Sequence, residues 1–270
     1  MTPRLCHDVA ISHGRIAVEE RPGPGIPILF IHGNSLCRSV FRKQLEGPLA
    51  EHHRLIAFDL PGHGDSGDAL EPSRTYSRPG LADTTSELLD KLGIDRVVLA
   101  GWSLGGHVAI EMLPGDERVV GLFLSGAPPV GQDIAVGFRR PPFAILLKQD
   151  RFAPVDVQTF VDSMFDGPEA STLYAAARRT DARFRAELFA RMREGAGRNQ
   201  RQVLTHTGIP TAIVNGADDA VVNLDYFDTV PYGHLWKGRC FRLEKAGHAP
   251  FWDAPERYDA LLLQFLADLL

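Results

Sequence analysis

Ser103 stands between two glycines in the run Gly101-Trp102-Ser103-Leu104-Gly105. The apolar, β-type segment Arg96-Val97-Val98-Leu99-Ala100 precedes it, and Gly106–Met112, which reads as helix, follows. A serine on a sharp strand-to-helix turn is a nucleophile elbow. The turn leaves no room for side chains at the glycine positions, lifts the hydroxyl above the sheet, and aims the free N–H groups of the new helix at a reacting carbonyl. The five letters alone are weak in a chain with 26 glycines. The strand before and the helix after give them weight.

A serine hydroxyl needs a base, and the base needs an orienting acid. The order serine, acid, histidine is present. Gly216-Ala217-Asp218-Asp219 follows the strand-like run Thr211–Asn215, and Gly247-His248-Ala249-Pro250 follows Cys240–Leu243. Among ten histidines, His248 is the candidate base because it sits on a Gly-containing loop after a late strand, beyond the acid. His32, His63 and His107 read as structural. Of the two adjacent acids, Asp219 lies three residues past the glycine that ends its strand and is the candidate orienter. Asp218 is expected to face solvent or cap the next turn. The oxyanion donors are expected from Leu104 N–H and the loop His32-Gly33-Asn34-Ser35, with Asn34 first and Ser35 second.

These side chains must be carried by a scaffold, and the pattern supplies one. Asp8–Ser12 and Arg15–Glu19 read as a hairpin around His13-Gly14, followed by strands at Ile26–Ile31, Leu55–Asp59, the elbow run, Val119–Ser125, Thr211–Asn215 and Cys240–Leu243. Helices are expected over Phe41–Ala50, Leu81–Leu92, the residues after the elbow, and Pro255–Leu269. Strands alternating with helices predict an α/β architecture, a mostly parallel sheet with helices on both faces. The alternation breaks at Ala127-Pro128-Pro129. Residues 131–201 are expected to form a helical cap inserted after the sixth strand, leaving 1–130 and 202–270 as the core. Phe138, Phe143, Phe160 and Met164 in the cap, with Trp102 in the elbow, are expected at a substrate pocket, although aromatics in such an insertion also serve as its own core. Seven arginines between Arg178 and Arg198 read as a solvated helix face, with Phe184, Leu188 and Met192 buried opposite.

Composition narrows the partners. Over 270 residues, 44% apolar and 23% charged content describe an ordinary globule, and a net charge of −5 argues against nucleic acid or an anionic membrane as main partner. The first residues carry no signal-type apolar core, and no apolar run reaches the roughly 20 residues that span a bilayer. Three widely spaced cysteines show no zinc pattern, and a reducing cytoplasm is the expected setting. No His/Asp grouping has metal-ligand spacing, so no metal or cofactor is implied. The expected partner is a small ester or lactone, and the expected state a monomer or weak homo-oligomer.

Taken together, Ser12–Val18, His32–Ser35, Asp59-Leu60-Pro61-Gly62-His63-Gly64, the string Gly101–His107, Val214-Asn215-Gly216 and Ala246–Phe251 resemble the N-acyl-homoserine lactonases of the α/β-hydrolase type, the AidH-like group of bacterial quorum-quenching enzymes. The resemblance spans nearly the whole chain and is weakest in the cap. It implies an α/β-hydrolase fold and a metal-free lactonase with Ser103 as nucleophile, His248 as base and an acid at position 219. Those lactonases carry glutamate there, whereas this chain carries Asp219. A carboxylesterase acting on other small esters is the alternative within the class, because a triad does not specify its acyl group. A hydrolase-fold receptor with little turnover is the alternative outside it.

Overall fold

The computed structural model describes residues 3–131, 133–139 and 152–269. Phe143 lies outside them. Eight strands form one sheet in the order β1-β2-β4-β3-β5-β6-β7-β8. They are β1 (Leu5–Ile11), β2 (Gly14–Arg21), β3 (Gly25–Ile31), β4 (His53–Phe58), β5 (Val97–Trp102), β6 (Val119–Ser125), β7 (Thr211–Gly216) and β8 (Phe241–Leu243). β2 is antiparallel to β1 and β4, and every pairing from β4 to β8 is parallel. All the parallel strands therefore end on one edge, which is where the chemistry-bearing loops emerge.

Helices α1 (Arg78–Lys91) and α2 (Leu104–Met112) flank β5 in the chain. Between β6 and β7 the described residues hold α3 (Pro154–Asp162), α4 (Ser171–Arg179), α5 (Phe184–Arg193) and α6 (Gln200–His206). Helix α7 (Pro255–Ala267) closes the chain. Every residue of β5 is buried, as expected for a strand covered on both faces. Its side chains alternate between two cores. Val98, Ala100 and Trp102 join Phe30, Phe123 and Phe265 on one side, while Val97 and Leu99 join Ile31, Val108 and Ile213 on the other. The β6–β7 insertion contributes to both: Val157, Phe160 and Leu173 pack into the first, Phe184 and Leu188 into the second.

The strands fall where the apolar pattern puts them, but one helix does not. The expected Phe41–Ala50 helix is a 3-10 turn at Arg38–Phe41 and two single turns, Arg42–Leu45 and Leu49–His52. Gly47-Pro48 divides the two single turns, because a proline has no N–H to continue an α-helical ladder. The elbow strand also runs two residues further than its apolar core, to Trp102, so the chain turns at the serine itself.

Candidate active site

Ser103 caps α2 with φ 52° and ψ −120°, a conformation that a residue with a side chain enters only under constraint. The constraint is the crowding of β5, α2 and β3. A Cβ on Gly105 would lie 2.0 Å from the Ile31 carbonyl oxygen, and one on Gly101 would lie 2.6 Å from Gly106 Cα. Both positions must be glycine for the turn to close. Ser103 N–H donates to Ser125 O at 2.9 Å, and the Ser103 carbonyl accepts from Gly106 N–H at 3.0 Å. Leu104 opens the helix, so its N–H has no intrahelical acceptor.

His248 and Asp219 meet from separate loops. His248 Nδ1 lies 2.8 Å from Asp219 Oδ2, with both side chains buried. The other carboxylate oxygen accepts from Val221 N–H at 2.7 Å and Val222 N–H at 3.1 Å. Burial works to raise the Asp219 carboxyl, but the facing imidazole and these hydrogen bonds outweigh it and hold the pKa below the ordinary value. An ionised carboxylate only accepts, so His248 Nδ1 carries a proton toward it, and Nε2 is the ring nitrogen on the far side from Asp219. Asp218 is exposed, and its N–H donates to Ala246 O at 2.9 Å.

The imidazole has a fitted seat. Trp102 Nε1 donates to His248 O at 2.8 Å, and the two rings lie 5.5 Å apart. Gly126 sits against the ring, where a Cβ would come within 2.6 Å of His248 Cε1. Asn215 Oδ1 accepts from Gly126 N–H at 2.8 Å and fixes that turn. Ser103 and His248 thus border the same Ser125-Gly126 corner.

The loop after β3 lies against the serine from the other side: a Cβ on Gly33 would be 3.2 Å from Ser103 Cβ. Asn34 N–H makes no hydrogen bond among the described residues. Ser35 differs from the expectation that placed it second as an oxyanion donor. Its N–H donates to His63 Nε2 at 3.2 Å, so that donor is already engaged. His63 Nδ1 in turn donates to Pro61 O, and the neighbouring His32 bridges Gly33 O and Leu60 N–H. Burial lowers His63 well below its ordinary pKa, helped by His32, and brings His32 and His107 to about 4. These three rings are neutral packing and hydrogen-bonding groups.

A strained serine on an elbow, a buried His–Asp pair and a loop whose Asn34 N–H has no hydrogen bond among the described residues thus lie at the ends of neighbouring strands. A family model described as the alpha/beta hydrolase family matches residues 28–261. The chain belongs to the alpha/beta hydrolase family. Within that family it is similar to the N-acyl homoserine lactonase AidH. A solved structure of an AidH variant complexed with N-hexanoyl homoserine is 42% identical with a TM-score of 0.96, covering 99% of this chain and 98% of that one. The pimeloyl-[acyl-carrier protein] methyl ester esterase of Nitrosomonas europaea is 27% identical, over 88% of this chain and 95% of its own length. AB hydrolase superfamily protein YisY of Bacillus subtilis is 24% identical, over 90% and 92%.

The aromatic candidates of this alpha/beta hydrolase divide. Trp102 is 1% exposed and packs against Phe165 and Phe251, so it supports the His248 loop from within the core rather than lining a cavity. Phe160 is buried against Phe152, ring centres 5.4 Å apart, while Met164 is only partly buried. Phe138 is partly buried, forms an isolated bridge with Val222 and faces the His107 ring at 6.2 Å. Asn215, Gly126, His63 and Arg185 were not singled out as site residues. Asn215 lies in the Val214-Asn215-Gly216 string that carried the resemblance, which was the available signal. Arg185 was hidden within an arginine-rich stretch. Phe184 and Leu188 are buried there as expected, but Arg185 is 2% exposed and reaches Ser35 in the loop after β3. Among the described residues no group of three or more His, Cys, Asp or Glu could hold a metal, and no helix is long and apolar enough to cross a membrane.

Proposed function

We propose that the chain is a serine hydrolase that opens the lactone ring of N-acyl-homoserine lactones through an acyl-enzyme, with Ser103, His248 and Asp219 as its triad. The observation that carries the lactone assignment is the likeness to AidH over 99% of the chain. The chemistry is supported by the His248–Asp219 pair beside the strained Ser103. Ser103 Oγ attacks the ring carbonyl while His248 Nε2 takes its proton. Leu104 N–H and Asn34 N–H receive the oxyanion, each donor contributing about 3 kcal/mol of transition-state stabilisation. Collapse expels the ring oxygen, which His248 protonates. The new hydroxyl stays tethered to the acyl group and can reclose the ring. A water activated by His248 must win that competition, and the second collapse returns Ser103 Oγ and the open acid. No step requires a metal.

Hydrolysis of an acyclic ester is the second reading, favoured by the likeness to a methyl ester esterase. Product mass spectrometry on a panel of acyl-homoserine lactones and simple esters separates the two. Ring-opened acids, formed at a rate EDTA does not change, support the lactonase. Rapid cleavage of p-nitrophenyl esters with no lactone opening supports the esterase, and binding without turnover of either supports a receptor.

A further inference from the structure

Helix α5 of the β6–β7 insertion holds the Asn34-Ser35 loop through two adjacent residues. Phe184 packs edge-on against His63, ring centres 4.3 Å apart, and His63 Nε2 accepts Ser35 N–H. Arg185, buried with its guanidinium 3.9 Å from the Phe152 ring centre, donates from Nη1 to Ser35 Oγ at 2.8 Å. The helix start is anchored on the same side of the site, where Asp181 N–H donates to Gly62 O at 2.8 Å and Asp181 Oδ2 accepts from Tyr76 OH at 2.6 Å. Ser35 itself has φ 60°, a left-handed backbone that these contacts hold in place.

Donor and acceptor chemistry then decides the next link. A guanidinium can only donate, so Arg185 engages one of the two lone pairs of the Ser35 hydroxyl, and its positive charge polarises the O–H toward donating on its other side. The hydroxyl donates to the Asn34 side chain, whose Oδ1 lies 2.6 Å away. In this arrangement Oδ1 faces Ser35, and Nδ2, a donor, is the other end of the amide. With Arg185 removed, that polarisation is lost, the hydroxyl can as readily accept from Asn34, and the amide beside the Asn34 N–H can reverse and exchange its donor end for its acceptor end.

We propose that Arg185 is a positioning residue that sets the orientation of the Asn34 amide through the Ser35 hydroxyl, so that the helical insertion controls the donor set of the oxyanion loop. The inference rests on the hydrolase reading above for its kinetic consequence, but its structural consequence exists in the ligand-free protein. Arg185→Met should lower kcat on a p-nitrophenyl ester about tenfold with KM within about twofold, as expected for a donor misaligned in the transition state. Arg185→Lys, which keeps a charged donor, should recover most of the loss. Ser35→Ala should reproduce it from the other side of the relay, without touching the insertion. In an Asn34→Ala background, Arg185→Met should cost little more, because its target is gone.

The Asn34 side-chain amide pair in a 1H–15N spectrum, identified by its loss in Asn34→Ala, should shift or broaden in Arg185→Met and return in Arg185→Lys. An amide pair unmoved by Arg185→Met, or a kcat loss that persists undiminished without Asn34, would overturn the proposal. If wild-type protein turns over no ester or lactone, the hydrolase reading fails, while the amide spectrum still decides the role of Arg185.

Discussion

The two carboxylates after β7 are neighbours in the chain and share little else. Asp219 is fully buried against His248 and two backbone N–H groups, whereas Asp218 is exposed. Asp219→Asn should lower kcat by about three to four orders of magnitude, because an amide that still accepts the Val221 and Val222 N–H groups turns its NH₂ toward Nδ1 and selects the wrong imidazole tautomer. Asp218→Asn should leave kcat within about twofold, and the reverse result would move the acid to position 218. Asp219→Glu tests whether the loop relaxes toward the longer acid of the lactonases that the chain resembles, and partial activity is expected. The depressed pKa of Asp219 also has a stability consequence. A carboxyl whose folded pKa lies below its unfolded value of about 4 stabilises the fold above that value and loses the contribution as pH falls through the folded pKa. Asp219→Asn should therefore cost stability at pH 7 but much less at pH 3, measured by urea unfolding. The choice of Asp219 over Asp218 could be read from its distance to Gly216. The engagement of Ser35 N–H by His63 could not, because it depends on a loop 28 residues away.

At the scale of elements, the sheet was readable because its strands are apolar runs of ordinary length. The Arg38–His52 region was not, since its apolar spacing suits a helix while Pro48 interrupts the ladder. That region also packs against a buried acid of α7. Gln44 Nε2 donates to Asp259 Oδ1 on α7 at 3.1 Å, while Gln44 Oε1 is buried without a hydrogen-bond partner among the described residues. Burial, opposed by the Gln44 hydrogen bond and aided by nearby Glu256, pushes the Asp259 carboxyl up to about 7. The sign is opposite to that of Asp219: a raised acid loses stability as pH rises from its unfolded value of about 4 through its folded one. Asp259→Asn keeps the acceptor and removes the buried charge that forms as pH rises through about 7. It should raise stability by about 1–2 kcal/mol at pH 8 and change it little at pH 4. A melting temperature that falls at pH 8 would contradict this account. The elbow makes a sharper claim. Gly105→Ala, whose Cβ would meet Ile31 O at 2.0 Å, should cost about 3 kcal/mol or more in urea unfolding, and should abolish activity even where folded protein survives.

For the whole molecule, the candidate site residues lie on loops at one edge of the sheet, and the insertion between β6 and β7 packs into both cores and against the loop after β3. The insertion was readable from composition as strand-poor and aromatic, but not residue by residue, since aromatic side chains pack a core and line a cavity with equal ease. Phe160 is buried on Phe152, and Met164 is partly buried and packed against the same core. Met164→Trp should reduce kcat/KM for decanoyl relative to butanoyl homoserine lactone by about tenfold, the scale of a methylene-sized change in a hydrophobic pocket, with an unchanged melting temperature. A parallel loss on both substrates with a lowered melting temperature would make Met164 a core residue. Arg185 belongs to this scale as well, since it joins the insertion to the oxyanion loop and looked from its neighbours like one more solvated arginine.

The central claim, lactone opening through a Ser103 acyl-enzyme, meets its most direct test in one mass spectrum. N-hexanoyl homoserine lactone is incubated in ¹⁸O-labelled water with wild-type protein and with Ser103→Ala, and the product is weighed. Wild-type protein should yield the ring-opened acid carrying one labelled oxygen in its new carboxylate, and Ser103→Ala should leave the lactone at its spontaneous rate. Intact lactone after wild-type incubation, or enzymatic opening undiminished in Ser103→Ala, would contradict it.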